Sequence, residues 1–332
     1  REGHQMRDRD RQRWVRLILD HFVWVLLLVA LAAFSLSIDG FLQTGIFLNI
    51  IRQATFVGIL AVGLSLTIIS GHLDLSVESV MGFSAMLSAY LVAANGAGLG
   101  LDLSAWQTLL ISLAVGAIVG AGNALLVVRL GISAFIATLA GFIGIRGLGL
   151  VLTGGRSMFG LPDDFRGVAS ADVAGIPLLV LALPGTCLIF HVVLEHTRFG
   201  RYIYLIGGNR AALFRAGVRV DRVLFQVFVL SGVLAGFAGW LLAARTNGAT
   251  PNIGLGMLFE AFAAVVIGGV SLSGGVGRLS GVFAGVLLLS SIDTAINIMG
   301  LPPHYMQVIR GGLVLLAVLL DSATTTLRRR WA

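Results

Sequence analysis

Long apolar runs separated by short polar breaks recur along the chain from Phe22 to Leu320. Each is close to the roughly 20 helical residues that cross a hydrocarbon core of about 30 Å. Runs such as Phe225 to Ala244 are apolar with no period of two, so they do not read as the alternating strands of a membrane barrel. The pattern predicts an all-α membrane protein, a polytopic bundle of about ten transmembrane helices. The predicted spans are 22–38, 53–70, 76–95, 106–128, 133–152, 176–194, 223–244, 254–270, 280–299 and 305–320. Residues 1–21 then form an N-terminal segment, 22–321 a single transmembrane domain with its longest polar loops at 153–175 and 195–222, and 322–332 a C-terminal tail. The first apolar run follows an Arg/Asp-rich head, lacks a small-residue cleavage site and precedes many further spans, so it reads as an anchored helix.

Composition narrows the chemistry. The chain is 57% hydrophobic and 12% charged, against about 25% charged in an ordinary globular domain. All 23 basic residues are arginine. Without lysine, neither a phosphate-binding P-loop nor a Schiff-base enzyme can reside here. The single cysteine, Cys187, sits in an apolar run, which excludes a disulfide framework and a Cys-based metal site. No His pair has metal-ligand spacing. A formal charge of +7 raises the question of nucleic acid, but the arginines lie in membrane-flanking loops, not on a soluble basic face. With both termini cytoplasmic, seventeen arginines fall on the inner side and four on the outer, while Arg146 and Arg310 lie within spans. That asymmetry is the one expected of cytoplasmic loops, and it fixes the predicted orientation.

The predicted inner loop at 195–222 contains Gly207-Gly208-Asn209, then Arg210-Ala-Ala-Leu-Phe-Arg-Ala216 and Gly217. Asn209 is a good N-cap, the next seven residues favour helix and Gly217 is a natural stop. The expected product is a two-turn helix presenting Leu213 and Phe214 as apolar surface between Arg210 and Arg215. Such a surface needs a cover. Two readings stand: a docking element moved by a motor protein, or an interfacial helix held on anionic lipid by its arginines.

A second motif, Ser70-Gly71-His72-Leu73-Asp74-Leu75-Ser76-Val77-Glu78, interrupts two apolar runs. Helix breaks at membrane depth are tolerated where they line a water-filled path, which makes His72, Asp74, Ser76 and Glu78 candidates for a translocation path or gate. Asp74 through Glu78 equally resembles an extended capping box at a helix start. The third motif, Gly268-Gly269 through Gly274-Gly275, lacks the Lys-Ser/Thr ending of a nucleotide loop and reads as a hinge or close-packed break. Glu260 and Asp293, charged within predicted spans, are candidates for interhelical pairing or an outer gate, and Arg146 for snorkelling outward.

Four separated segments carry a family resemblance. They are Asp-Leu-Ser-Val at 74–77, Phe135-Ile-Ala-Thr-Leu139 to Arg146-Gly147, Gly200-Arg201-Tyr202 to Gly207-Gly208-Asn209, and Ala263-Ala264-Val265-Val266-Ile267-Gly268-Gly269 to Ser273-Gly274-Gly275. In this order, within a likeness running from about residue 45 to 321, the chain resembles permeases of ribose/xylose-type bacterial ABC importers. The resemblance implies a permease subunit of the bacterial inner membrane that forms the path for a monosaccharide or related small polar solute. It implies a cytoplasmic ABC ATPase that binds ATP and Mg, so that this chain carries no cofactor. It also implies a periplasmic solute-binding protein and a second permease copy or paralogue, with the helix from Asn209 to Gly217 seated in the ATPase. Where family members commonly have glycine or an aliphatic residue this chain has His72, and where they have glycine it has Glu78. The alternative is a proton-coupled secondary transporter using Asp74 and Glu78. A membrane enzyme would need a clustered nucleophile, base or metal site, and the sequence offers none.

Overall fold

The computed structural model describes residues 22–94 and 98–302, and beyond them residues 305, 307–309, 311–312, 315–316 and 318–319. The predicted segments 1–21 and 322–332, and Arg310, lie outside the described residues.

Apolar helices dominate. In chain order they are α1 (Phe22–Ser37), α2 (Thr44–Ile69), α3 (Val77–Val92), α4 (Ala105–Ala124, extended by a π turn at Leu125–Arg129), α5 (Ala134–Thr153), α6 (Asp163–Ser170), α7 (Leu178–His196), α8 (Arg198–Arg215), α9 (Val220–Thr246), α10 (Met257–Ile267) and α11 (Leu279–Ile298). The described residues between 305 and 319 are helical as well. Six of these helices, α2, α4 with its π turn, α5, α7, α9 and α11, are long and apolar enough to cross a membrane.

Several boundaries differ from the sequence reading. α2 starts at Thr44, so Arg52, expected in an outer segment, lies inside the helix. The expected span at 254–270 is the 11-residue helix α10, about 16 Å long and so well short of a bilayer core. Its start is set by Gly254 and Gly256, whose φ values of 75° and 90° belong to the left-handed region that ends helical geometry. α3, at 16 residues, is likewise shorter than the expected 76–95.

α9 is the hub, packed against α4, α3 and α2. Its approach to α4 depends on four glycines: Gly116 and Gly120 face Gly232 and Gly236, and a Cβ at any of them would overlap a backbone carbonyl of the facing helix. Two facing Gly-x-x-x-Gly pairs remove the side chains that would hold the axes apart, so packing replaces the hydrophobic drive that lipid cannot supply. Polar rungs complete the bundle. The Ser88 and Ser112 hydroxyls are 2.8 Å apart, and Trp240 Nε1 donates to Thr108 Oγ1 at 3.0 Å.

The acidic loop at 153–175, expected to be turn-rich, contains α6 and takes part in two short antiparallel ladders, one a hairpin at its end and one with a distant segment. Strand β1 (Met158–Phe159) pairs antiparallel with β4 (Gly248–Ala249), and β2 (Asp172–Val173) with β3 (Ile176–Pro177). Buried Phe165 of α6 stacks on Trp240, ring centres 5.6 Å apart, while Asp164 Oδ2 accepts from the Ala105 amide at 2.8 Å and caps α4. The loop is thereby fastened to the helices it crosses.

Candidate translocation and coupling site

Asp74 is buried in the break between α2 and α3. Its Oδ1 accepts from the Ser76 amide at 3.0 Å and hydroxyl at 2.6 Å, and its Oδ2 accepts from Ser231 Oγ of α9 at 2.9 Å. Ser76 Oγ in turn accepts from Asn123 Nδ2 of α4 at 2.8 Å, and Thr138 Oγ1 of α5 accepts from the Leu75 amide at 3.0 Å. A buried non-helical segment leaves backbone and side-chain polar groups that need partners. Here α4, α5 and α9 each supply a side chain that fastens it. Half-buried His72 folds back through Nδ1, 2.9 Å from the Ser70 carbonyl, and sets its ring edge-on to Phe228 at 6.0 Å. Asn123 and Ser231 escaped the sequence reading, and Thr138 entered it only within a family segment; the signal available was a polar residue inside each of three apolar runs that carry other polar residues as well.

Glu78 does something the sequence did not suggest. It does not close a capping box on its own helix: the α3 cap, Ser76, makes no side-chain cap bond. Instead Glu78 Oε2 accepts from the amides of Gly256 and Leu258 at 3.0 and 2.9 Å, capping the start of α10. Its Oε1 lies 3.1 Å from Arg146 Nη1 of α5. The carboxylate thus meets two orphan amides at the positive end of a helix as well as a guanidinium. Arg146, expected to snorkel outward, turns inward to Glu78; its side chain is 18% exposed and that of Glu78 1%. Glu260 of α10 and Asp293 of α11 share one small recess, with Phe259 and Leu289 in its wall.

The loop between α7 and α9 carries the expected cap. α8 is helical from Arg198 but broken at Asn209 (φ −158°, ψ 82°), and Asn209 Oδ1 accepts from the Ala212 amide at 3.0 Å. The short helix beyond ends at Gly217, φ 77°. Only half of its expected apolar surface is outward: Phe214 is 75% exposed, whereas Leu213 is 7% exposed and belongs to the main core. The i, i+1 spacing places these two on different sides of the helix. Arg210 pairs with Asp221 at 3.3 Å on the surface, and Arg215 is exposed.

The first half of α8 brings this helix to the other two motifs. A Cβ on Gly207 would overlap the Ile69 carbonyl and the Gly275 amide, and one on Gly274 would come within 3.0 Å of Gly71 Cα and 3.1 Å of Gly207 Cα. Gly208, beside it, faces open space. The Gly275 amide donates to the Ile69 carbonyl at 2.8 Å, and Tyr204 Oη donates to the Gly277 carbonyl at 2.9 Å. Burial pushes the Tyr204 hydroxyl up to about 12, so it stays a donor. The end of α2, the middle of α8 and the 268–277 loop therefore meet backbone to backbone. In that loop Gly269, Gly274 and Gly275 have φ of 85°, 80° and 74°. Gly268 instead packs on α11, where a Cβ would come 2.7 Å from Val282.

Known proteins resemble this chain along most of its length. No solved structure matches the chain. The ribose import permease protein RbsC of Escherichia coli (strain K12) is 34% identical over 302 residues, covering 90% of this chain and 92% of the relative. The Bacillus subtilis (strain 168) ribose import permease is 35% identical over 305 residues, 91% and 92% of the two chains. The D-allose transport system permease protein of Escherichia coli (strain K12) is 35% identical over 287 residues, 86% of each. Residues 46–318 match the family described as branched-chain amino acid transport system / permease component. The chain therefore belongs to this family of ABC-importer permease subunits, multi-pass inner-membrane transport components rather than enzymes.

Proposed function

We propose that this chain forms the translocation path of an ATP-driven importer for a monosaccharide or related small polar solute. Its partners in this reading are a separate cytoplasmic ATPase, a periplasmic solute-binding protein and a second permease copy or paralogue. About ten helices cross the membrane with both termini cytoplasmic, so that the loop between α7 and α9 faces the ATPase. The observation that carries the reading is the glycine junction at Gly71, Gly207 and Gly274. A force on the short helix after Asn209 acts on α8, and α8 has no compressible side chain between itself and either the end of α2 or the loop at Gly274 and Gly275. Close-packed interfaces shift between discrete arrangements instead of deforming smoothly, so displacement at the helix is passed to the bundle. The exposed Phe214 is the contact for the ATPase, and Arg210 and Arg215 flank it.

The relatives' solutes, ribose, D-allose, and the L-arabinose of an Azospirillum brasilense permease that is 32% identical, support the solute class. A proton-coupled mechanism needs a carboxylate free to exchange its proton with both sides, and the partners of Asp74 and Glu78 argue against it. The test is uptake in proteoliposomes holding the permease with its ATPase and binding protein. Accumulation is expected to require internal ATP and all subunits. Concentration of solute by the permease alone, driven by a proton gradient, would overturn the proposal.

A further inference from the structure

α2 and α11 border an open polar groove of about 430 Å³ that none of the three motifs touches. Asp39 and Gln43 stand at the mouth, Asn49 and Gln53 line one wall from α2, and Thr294 and Asn297 the other from α11. Asn49 and Gln53 are four residues apart and share a helix face, as do Thr294 and Asn297, three apart. From Thr44, the helix rise puts Asn49 about 8 Å and Gln53 about 13 Å along α2. Two facing pairs of polar side chains thus descend between otherwise apolar helices. The Thr294 hydroxyl, 2.8 Å from the Ser290 carbonyl, also lies 3.4 Å from Gln53 Oε1 and steadies that amide. Gln43, Asn49 and Asn297 also line the groove, each bringing a carboxamide with a donor and an acceptor. Gly40, at φ 76°, leaves room for the Gln43 amide, whose Nε2 lies 2.8 Å from where a Cβ would stand.

We infer that this groove is a binding site for a neutral polyhydroxyl solute entering from the outer side. The inference rests on the importer reading above, whose orientation puts the start of α2 and the end of α11 outside, and it names the solute class on different residues. A carboxamide offers a donor and an acceptor side by side, the complement of a sugar hydroxyl. The lining also discriminates. None of the groove's lining residues among those described is cationic, so the walls offer no side-chain counter-ion to the carboxylate of a zwitterionic amino acid. The only charge is Asp39 at the mouth, so the walls make several neutral hydrogen bonds, each of modest net strength. That suits a site that must release its cargo onward.

The test uses the complete importer in proteoliposomes with four radiolabelled sugars, D-ribose, L-arabinose, D-allose and D-xylose, and with leucine as the zwitterionic comparison. At least one sugar is expected to be taken up and leucine not. Gln53→Leu and Asn49→Leu are expected to raise KM for that sugar about tenfold or more, the loss of one or two good hydrogen bonds. They are also expected to change the ratio of uptake among the four sugars, with Gln53→Asn recovering part of the loss. A merely structural role would lower insertion or maximal rate and leave the sugar ratio as it was. Sugar uptake with unchanged KM and ratio in both leucine variants would overturn the site and leave the importer reading standing. Uptake of leucine alone would overturn both.

Discussion

Gly207 packs so closely on the carbonyl of Ile69 that a side-chain methyl would overlap that oxygen. The contact joins a helix of the loop between α7 and α9 to the last residue of a membrane-crossing helix with no side chain between them. In the proposed mechanism it is one mechanical link between the ATPase contact and the bundle, beside the buried Leu213 of the short helix.

Gly207→Ala is therefore expected to cost about 1–3 kcal/mol from overpacking against rigid backbone and to uncouple ATP hydrolysis from uptake. Gly208→Ala, whose methyl would enter open space, is expected to leave thermal stability unchanged or slightly raised, since alanine favours helix. Thermal unfolding in detergent with uptake assays separates the two. Equal behaviour of both variants would remove the junction from the mechanism.

Glu78 and Arg146 form a buried pair in which the carboxylate also caps α10. Glu78→Gln alone leaves the guanidinium uncompensated, an effect of about 3–5 kcal/mol in buried pairs. The double variant Glu78→Gln with Arg146→Met is expected to recover part of that loss. A double-mutant cycle on unfolding measures it, and additive single effects would mean that the pair does not interact.

Phe214→Asp places a charge on the outward face of the short helix and is expected to abolish co-purification with the ATPase while insertion is normal. Leu213→Asp buries the charge in the core and is expected to lower the amount of folded protein. Retained ATPase binding in Phe214→Asp would exclude this helix as the docking element.

Ser231→Ala removes the hydroxyl that α9 offers to Asp74. Loss of a buried partner of a carboxylate is expected to destabilise by about 1–3 kcal/mol, read as a lower unfolding temperature. In an Asp74→Ala background the same change is expected to have a much smaller effect, because the shared bond is already gone.

The length and spacing of apolar runs were enough to read a polytopic helical membrane protein and to place most helices within a few residues. The absence of lysine was enough to exclude a phosphate-binding P-loop from the chain, and Asn209 with Gly217 was enough to bracket a short helix. These are properties of composition and of neighbours along the chain, where propensity, capping and transfer into lipid act locally. The sequence could not say that Glu78 caps a helix some 180 residues away, that Leu213 turns inward, or that Gly71, Gly207 and Gly274 meet. Nor could it show that Asn49 and Gln53 look across a groove at Asn297. Those relationships depend on which helices become neighbours and how near they come, and that is decided by packing between distant segments, above all where glycines allow backbones to touch.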